Sequence, residues 1–248
     1  MYKYNISAVT ATYNESDNIA NLIEHLQAIF KKNNLKGEIV VVDDSSPDGT
    51  AEIVKKYMEE NSNIVLISRP QKSGIGSAYG DGIKVSQGEV VVTMDADFSH
   101  PPNKIYEMYK HAKEGCIVSG SRYLTKLSFH TKFYRFIGTT GLNIWLKLFL
   151  RLGIKDHTNG YVAIRKDNLE KVFEKGKRIR IYPFDKVLYG IPIFMIGKQL
   201  GIPLKEVNAP YKFRTVGETK IKTYDGLRIV WDSFFYSINL FLKIKLKK

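Results

Sequence analysis

Short apolar runs and amphipathic stretches alternate through the first half of this chain. Residues 6–11, 38–42, 64–67, 89–94 and 116–120 read as buried strands. The stretches between them predict helices over 16–32, 50–61, 77–87 and 103–113. Strand, helix and strand in steady succession predict an α/β fold whose mostly parallel sheet carries helices on both faces. The loops that leave the strand carboxyl ends then share one edge, and open α/β sheets bind ligands there.

After Tyr123 the pattern changes. A long helix is predicted over 132–152, with apolar Leu142, Ile144, Trp145, Leu148, Phe149 and Leu152 interleaved with Lys132, Arg135, Lys147 and Arg151. Such a stripe packs on a core or, with tryptophan and basic residues, lies in a membrane interface. Residues 227–248 crowd Trp231, Phe234, Phe235, Tyr236, Ile238, Leu240, Phe241 and Leu242 before Lys243, Lys245, Lys247 and Lys248. That segment is too short to span a bilayer. It reads either as an amphipathic interfacial anchor or as a terminal helix with a solvated lysine tail. The expected division is one large α/β domain over 1–222 and a basic amphipathic helix and tail over 223–248.

Composition narrows the picture. A chain of 248 residues with 44% hydrophobic content can bury a full core. Its formal charge of +13 suits phosphates, anionic lipid or nucleic acid. The aromatic residues sit mostly at apolar helical spacing and no nucleic-acid motif occurs, so nucleic acid is not an expected partner. One cysteine, Cys116, excludes an internal disulfide, and no His/Cys cluster has zinc spacing. With no signal-peptide pattern and no run of about 18 apolar residues, the expectation is a peripheral protein on the cytoplasmic side of a membrane.

The candidate chemistry lies at the strand ends. Asp95-Ala96-Asp97 follows the fourth strand directly, where two carboxylates can hold a divalent cation that in turn holds a diphosphate. A solvated acidic turn is the plain alternative. Thr12 to Glu15 follow the first strand, Asp43 to Thr50 the second, and Arg69 to Gly76 the third. A carboxylate at the second turn suits a base or ribose, a tyrosine can stack on a base, and Gly74 and Gly76 let backbone approach a ligand. Asp48, followed by Gly49 and Thr50, reads as a turn and helix cap.

Several of these segments carry a family resemblance. Ala11-Thr12-Tyr13-Asn14-Glu15, the run Val41 to Thr50, and Asp95-Ala96-Asp97-Phe98-Ser99-His100-Pro101-Pro102 resemble the family-2 glycosyltransferases. Within that family they are most similar to dolichyl-phosphate mannose synthases and related polyprenyl-phosphate glycosyltransferases. Ser119 to Tyr123, Asp156 to Tyr161 and Phe213 to Lys220 extend the resemblance to nearly the whole chain.

The resemblance implies a GT-A fold, a nucleotide-sugar donor such as GDP-mannose, a dolichyl or polyprenyl phosphate acceptor, and Mg²⁺ or Mn²⁺. By position, Thr12, Tyr13, Glu15, Val42 and Asp44 would line the nucleoside pocket. Asp95 and Ala96 would lie against ribose and diphosphate. Asp97 would be the main metal ligand, with Ser99 second. Arg122, Arg135 and Thr139 would meet the acceptor phosphate, and Arg214 and Lys220 the donor diphosphate. Asp97, Arg122, Arg135, Arg214 and Lys220 would form the catalytic set. A phosphate monoester is already an anionic nucleophile, so it needs positioning and charge neutralisation rather than a general base. In-line attack would invert the anomeric carbon. A membrane-anchoring subunit is a further partner that the resemblance allows.

Three departures stand against it. Ala11 replaces a common proline, Thr139-Thr140-Gly141 lacks a basic contact, and Ile181 to Val187 diverge from the mannose-synthase pattern. The last leaves a UDP-linked glucose or N-acetylhexosamine donor open. It also leaves open a saccharide or protein acceptor, with Asp185 as the base.

Overall fold

The computed structural model describes residues 2–124, 133–182 and 189–210, with 235, 238, 239, 241 and 242; at 133–139 and 149 it describes the backbone alone. The strands are β1 (Tyr4–Thr12), β2 (Gly37–Asp43), β3 (Ile64–Ser68), β4 (Gly88–Asp95), β5 (Ile117–Ser121), β6 (Val162–Arg165) and β7 (Leu204–Asn208). The helices are α1 (Ser16–Lys32), α2 (Thr50–Glu60), α3 (Ile75–Val85), α4 (Ile105–Lys113), α5 (Phe133–Leu150), α6 (Lys166–Arg178) and α7 (Gly190–Gln199). A 3₁₀ turn (Pro102–Lys104) leads into α4.

One seven-stranded sheet has the order β3-β2-β1-β4-β6-β5-β7. All pairs are parallel except those of β6, which runs antiparallel to β4 and β5. The alternating pattern that predicts the first five strands gives no sign of β6. Its four residues are too short for a period and pass straight into α6. The chain steps outward from β1 through β2 to β3, then returns to β4 on the other side of β1. That reversal opens a crevice between the carboxyl ends of β1 and β4. Register puts its walls level: Thr12 pairs with Asp43, and Ala11 with Asp95.

The strands are near-continuous hydrophobic runs because both faces are covered. Val9, Val40, Val42 and Val91 point to a core shared with α3, α5, α6 and α7. Their neighbours Ala8, Ile39, Val41, Val90 and Val92 point to a second core shared with α1, α2 and α4. Helix α3 lies so close to the sheet that a Cβ on Gly82 would stand 2.4 Å from Val9 Cγ1. Where the strands begin, Ser7 Oγ and the Gln87 N–H both donate to buried Glu38, at 2.5 and 2.8 Å, and the Gly88 N–H donates to Ser7 Oγ at 2.8 Å. This network ties β1, β2 and β4 together.

Helix α5 splits its apolar residues. Leu142 and Leu146 enter the core, whereas Ile144 is 55% and Leu148 70% exposed. Among the described residues no helix is long and apolar enough to cross a membrane. Of the expected terminal helix, 235, 238, 239, 241 and 242 are helical, with Phe235 and Leu242 exposed and Phe241 half-packed on the core. The rest of 223–248 lies outside the described residues.

Candidate functional site

Hydrogen bonds between neighbouring strand ends shape the crevice. Asp43, buried at the end of β2, accepts from Thr12 Oγ1 at 2.8 Å, Ser46 Oγ at 2.6 Å and the Ser46 N–H at 2.9 Å. Its carboxylate is therefore spent on joining two loops. Asp48 joins the same loops from outside, accepting from Ser16 N–H at the start of α1 and from Thr50 at the start of α2. Burial opposes its ionisation, but those donors outweigh burial and hold the carboxyl at about 2. Asp48 is thus the turn and helix-start residue its sequence context suggests.

Asp44 is different. Its Oδ1 accepts from Arg69 Nε at 2.5 Å, and its Oδ2 takes no hydrogen bond from the described residues. Arg69 is itself buried and reaches Ser77 Oγ at 2.8 Å and the Gly74 carbonyl at 3.1 Å, so it locks the third loop to the second. Tyr13 lies across the same opening with Lys72 Nζ 4.3 Å from its ring centroid. Glu15 accepts from Asn18 Nδ2 at 2.8 Å within the first turn of α1. Val42 turns its side chain into the core, so only its backbone could line a pocket.

The turn after β4 is built from beneath. Tyr79, fully buried on α3, donates from its hydroxyl to Asp95 Oδ1 at 2.8 Å. Burial, then the Asp95 carboxylate, raises the Tyr79 phenol well above its ordinary value, so it remains a donor. The Asp95 N–H donates to His100 Nδ1 at 2.9 Å. Ala96 packs into the α1–α4 core. Phe98 takes a left-handed conformation, φ 61°, and turns the chain back on itself. Asp97 is buried and accepts the Ser99 N–H at 3.0 Å, while Ser99 Oγ is buried with no hydrogen-bond partner among the described residues. A buried hydroxyl without a partner costs about 1–3 kcal/mol unless something binds it.

That orphan tests the site for a divalent cation, and the residues fit. A carboxylate beside an unpartnered hydroxyl is a hard oxygen donor pair of the kind Mg²⁺ or Mn²⁺ takes. Among the described residues no three His, Cys, Asp or Glu side chains form a metal cage. A cation here would complete its shell with water and phosphate oxygens.

Beyond β5, Arg122 forks onto Asp156, with Nε 2.7 Å from Oδ2 and Nη2 2.8 Å from Oδ1, and also donates to Thr158 Oγ1 at 2.7 Å. Burial alone would raise Asp156, but Arg122 outweighs it and holds the carboxyl below its usual range. Arg122 is thus clamped and pre-oriented rather than a solvated surface arginine. Arg135 and Thr139 lie on the first part of α5, at positions where only the backbone is described. Arg214, Lys220 and Asp185 lie outside the described residues.

The structure therefore brings Thr12, Tyr13, Glu15, Asp44, Asp95, Asp97 and Ser99 to one sheet edge. Arg69, Tyr79, His100 and Asn159, which hold them, are absent from the sequence-based site. Residues 69–76 and 156–161 are singled out by the sequence, but nothing in it marks the buried Tyr79. Tyr2, Lys3, Tyr4, Asn5, Lys36 and Glu89 line a cavity of about 550 Å³ at the opposite edge. Strands begin there, whereas ligands of open α/β sheets bind where strands end.

The sequence model of Glycosyl transferase family 2 matches residues 7–173. The chain is 30% identical to a dolichyl-phosphate beta-glucosyltransferase of Trichomonas vaginalis, covering 95% of this chain and 75% of that protein. It is 33% identical to a dolichol-phosphate mannosyltransferase of Pyrococcus furiosus, covering 88% of this chain and 59% of that one. Among solved structures, glucosyl-3-phosphoglycerate synthase of Mycobacterium tuberculosis, crystallised with Mn²⁺, UDP and glucosyl-3-phosphoglycerate, superposes with a TM-score of 0.66 at 18% identity. That match covers 94% of this chain and 80% of the other. At this identity the likeness carries the fold, which is GT-A.

Proposed function

The chain belongs to glycosyl transferase family 2, and on that premise we propose that it moves a hexose from a nucleotide sugar to a polyprenyl or dolichyl phosphate. The donor we propose is GDP-mannose, with inversion at the anomeric carbon, in a divalent-metal-dependent reaction at the cytoplasmic face of a membrane. One observation carries this reading: Asp97 and the unpartnered hydroxyl of Ser99 stand at the sheet edge that also presents Asp44 and Tyr13. The named relatives from Trichomonas and Pyrococcus support the class of acceptor.

In this reading Asp44 and Tyr13 bind the nucleoside, with Arg69 holding Asp44 in place. Asp97 and Ser99 would hold Mg²⁺ or Mn²⁺, which as a Lewis acid would stabilise the departing diphosphate. Arg122, fixed by Asp156, meets the lipid phosphate together with Arg135 and Thr139, and Arg214 and Lys220 neutralise the donor. The acceptor phosphate attacks as an anion, so no side chain has to remove a proton. Ile144 and Leu148 on α5, flanked by Lys147 and Arg151, meet the membrane surface with the segment 223–248. A membrane-anchoring subunit is a compatible partner.

A second reading, a UDP-linked glucose donor, is favoured by the similarity to the Trichomonas glucosyltransferase. The test is radiolabelled transfer from GDP-mannose, UDP-glucose and UDP-N-acetylglucosamine to polyprenyl phosphate in detergent, with Mn²⁺ or Mg²⁺. Lipid-extractable label from GDP-mannose alone supports the first reading. Label from a UDP-sugar alone replaces the donor. No label from any donor, beside an active control enzyme, refutes the lipid acceptor.

A further inference from the structure

His100 is almost fully buried one residue beyond Ser99, and both of its ring nitrogens are engaged. Nδ1 accepts the backbone N–H of Asp95 at 2.9 Å, which requires that Nδ1 carry no proton. Nε2 lies 2.6 Å from Asn159 Oδ1. Asn159 Nδ2 donates to the Gly120 carbonyl, so its Oδ1 is an acceptor and Nε2 must carry the hydrogen. The two ends agree on one arrangement, with Nδ1 accepting and Nε2 donating. The ring also stacks on Tyr161, centroids 5.0 Å apart and 15° from parallel, and Tyr161 Oη donates to the Pro101 carbonyl at 3.1 Å.

These bonds do two things. The Nδ1 bond closes the loop from Asp95 to His100 on itself, and that loop contains Asp97, Ser99 and the left-handed Phe98. The Nε2 bond fastens the closed loop to the segment 156–159, whose Asp156 and Thr158 clamp Arg122. We propose that His100 is a positioning residue: through a bare Nδ1 it shapes the turn that presents Asp97 and Ser99, and through Nε2–H it joins that turn to the Arg122 clamp. The inference rests on the reading of this edge as a nucleotide-sugar site. His100 touches neither substrate nor metal in this role; it acts through the backbone of Asp95.

The geometry makes the two bonds separable. In His100→Asn the amide oxygen stands where Nδ1 stood, so the Asp95 bond survives while the reach to Asn159 is lost. His100→Gln reaches Asn159 but offers nothing at Nδ1, and His100→Ala loses both. Binding of UDP and of GDP in the presence of Mn²⁺ would be measured by calorimetry for the wild type and all three variants, beside their thermal midpoints. His100→Asn should bind within about threefold of the wild type, and His100→Gln and His100→Ala at least about tenfold more weakly. Thermal midpoints should follow a different order, because His100→Asn also loses the Asn159 bond. Affinity that falls in step with the midpoint across all three, or stays unchanged in all three, overturns the proposal.

Nitrogen NMR of the wild-type ring decides the matter without a ligand. A hydrogen bond from the Asp95 N–H into Nδ1, with the ring hydrogen on Nε2, upholds the assignment, whereas a hydrogen on Nδ1 overturns it. A wild type that binds neither nucleotide with Mn²⁺ refutes the function proposed for the edge, and the ring tautomer then decides the role of His100 in the turn.

Discussion

Lowering the pH from 7 to 4 should destabilise this protein through one residue outside the site, His157. It is 0% exposed, and neither ring nitrogen has a hydrogen-bond partner among the described residues. Only its backbone is satisfied, donating to Asn143 Oδ1 at 2.9 Å. Burial pushes the imidazole down to about 4 from 6.5; Lys147 adds to the fall and the Asp156 carboxylate opposes it. Between those two pH values the unfolded chain binds a proton at this position and the folded chain does not. Stability therefore falls as pH falls from 6.5 to about 4, and this contribution is flat above and below that window. At about 1.4 kcal/mol per pH unit the loss comes to about 3 kcal/mol, a large part of the roughly 5–15 kcal/mol that holds a domain together. The assay is urea unfolding of the wild type and His157→Leu at intervals from pH 7 to 4, with His157→Met in reserve should leucine not fit. Carboxylates held low in the native state away from the ring, Asp48 among them, also lose stability in acid, but they are common to both proteins and cancel in the difference. The leucine variant should gain about 3 kcal/mol on the wild type across the window. Parallel curves, or a ring that titrates near 6.5 in the folded protein, would refute the reasoning.

Four further outcomes are expected. Gly82→Ala drives a Cβ to 2.4 Å from Val9 Cγ1 and 2.9 Å from Val42 Cγ2, and should lower stability by about 1–3 kcal/mol, read as an earlier urea midpoint with an unchanged slope. Glu38→Ala strands the Ser7 hydroxyl and the Gln87 N–H where the strands begin, and should cost about 3 kcal/mol in the same assay. Asp97→Ala should reduce Mn²⁺-dependent transfer at least ~100-fold while leaving the thermal midpoint within a few degrees; unchanged turnover would remove Asp97 from the metal site. Arg69→Lys cannot reach Asp44, Ser77 and Gly74 at once, so KM for the nucleotide sugar should rise about tenfold with kcat little changed.

The strand runs of the first half are legible because burial on both faces leaves an uninterrupted apolar signature, and the observed bounds differ from the expected ones by only a residue or two at either end. β6 and β7 carry no such signature: one is very short and the other places Lys205 and Glu206 side by side between Leu204 and Val207, charges that an edge strand tolerates. Helix α5 is legible as a helix, but the sequence could not say which of its apolar residues face out. At the site, carboxylates next to strand ends stand out. The groups that aim them do not, because Tyr79 to Asp95, Arg69 to Asp44 and His100 to Asn159 are contacts between distant parts of the chain. Val42 and Ala96 illustrate the converse: Val42 turns into one core because alternate residues of a strand face opposite ways, and Ala96, in the turn beyond β4, packs into the other.

Charge gives the site its logic. The chain as a whole is strongly basic, at +13, yet the four loops of this edge carry Glu15, Asp43, Asp44, Asp48, Asp95 and Asp97 against only Arg69 and Lys72. Asp43 and Asp48 are consumed by hydroxyl and backbone donors, which satisfy them without neutralising them. Asp44 is paired with Arg69, and Asp95 is held by a phenol that stays protonated. Asp97 lies buried in that acidic field beside a hydroxyl with no partner. Such an edge repels a diphosphate unless positive charge is brought to it, either by a divalent cation at Asp97 and Ser99 or by the basic residues of the last part of the chain. The abundance of lysine and arginine elsewhere does not substitute, since beyond roughly 10 Å exposed charges are screened by salt. An acidic edge on a basic protein therefore suits the proposed function, in which a divalent cation and an anionic substrate would each bind weakly alone and bind together as a neutralised unit.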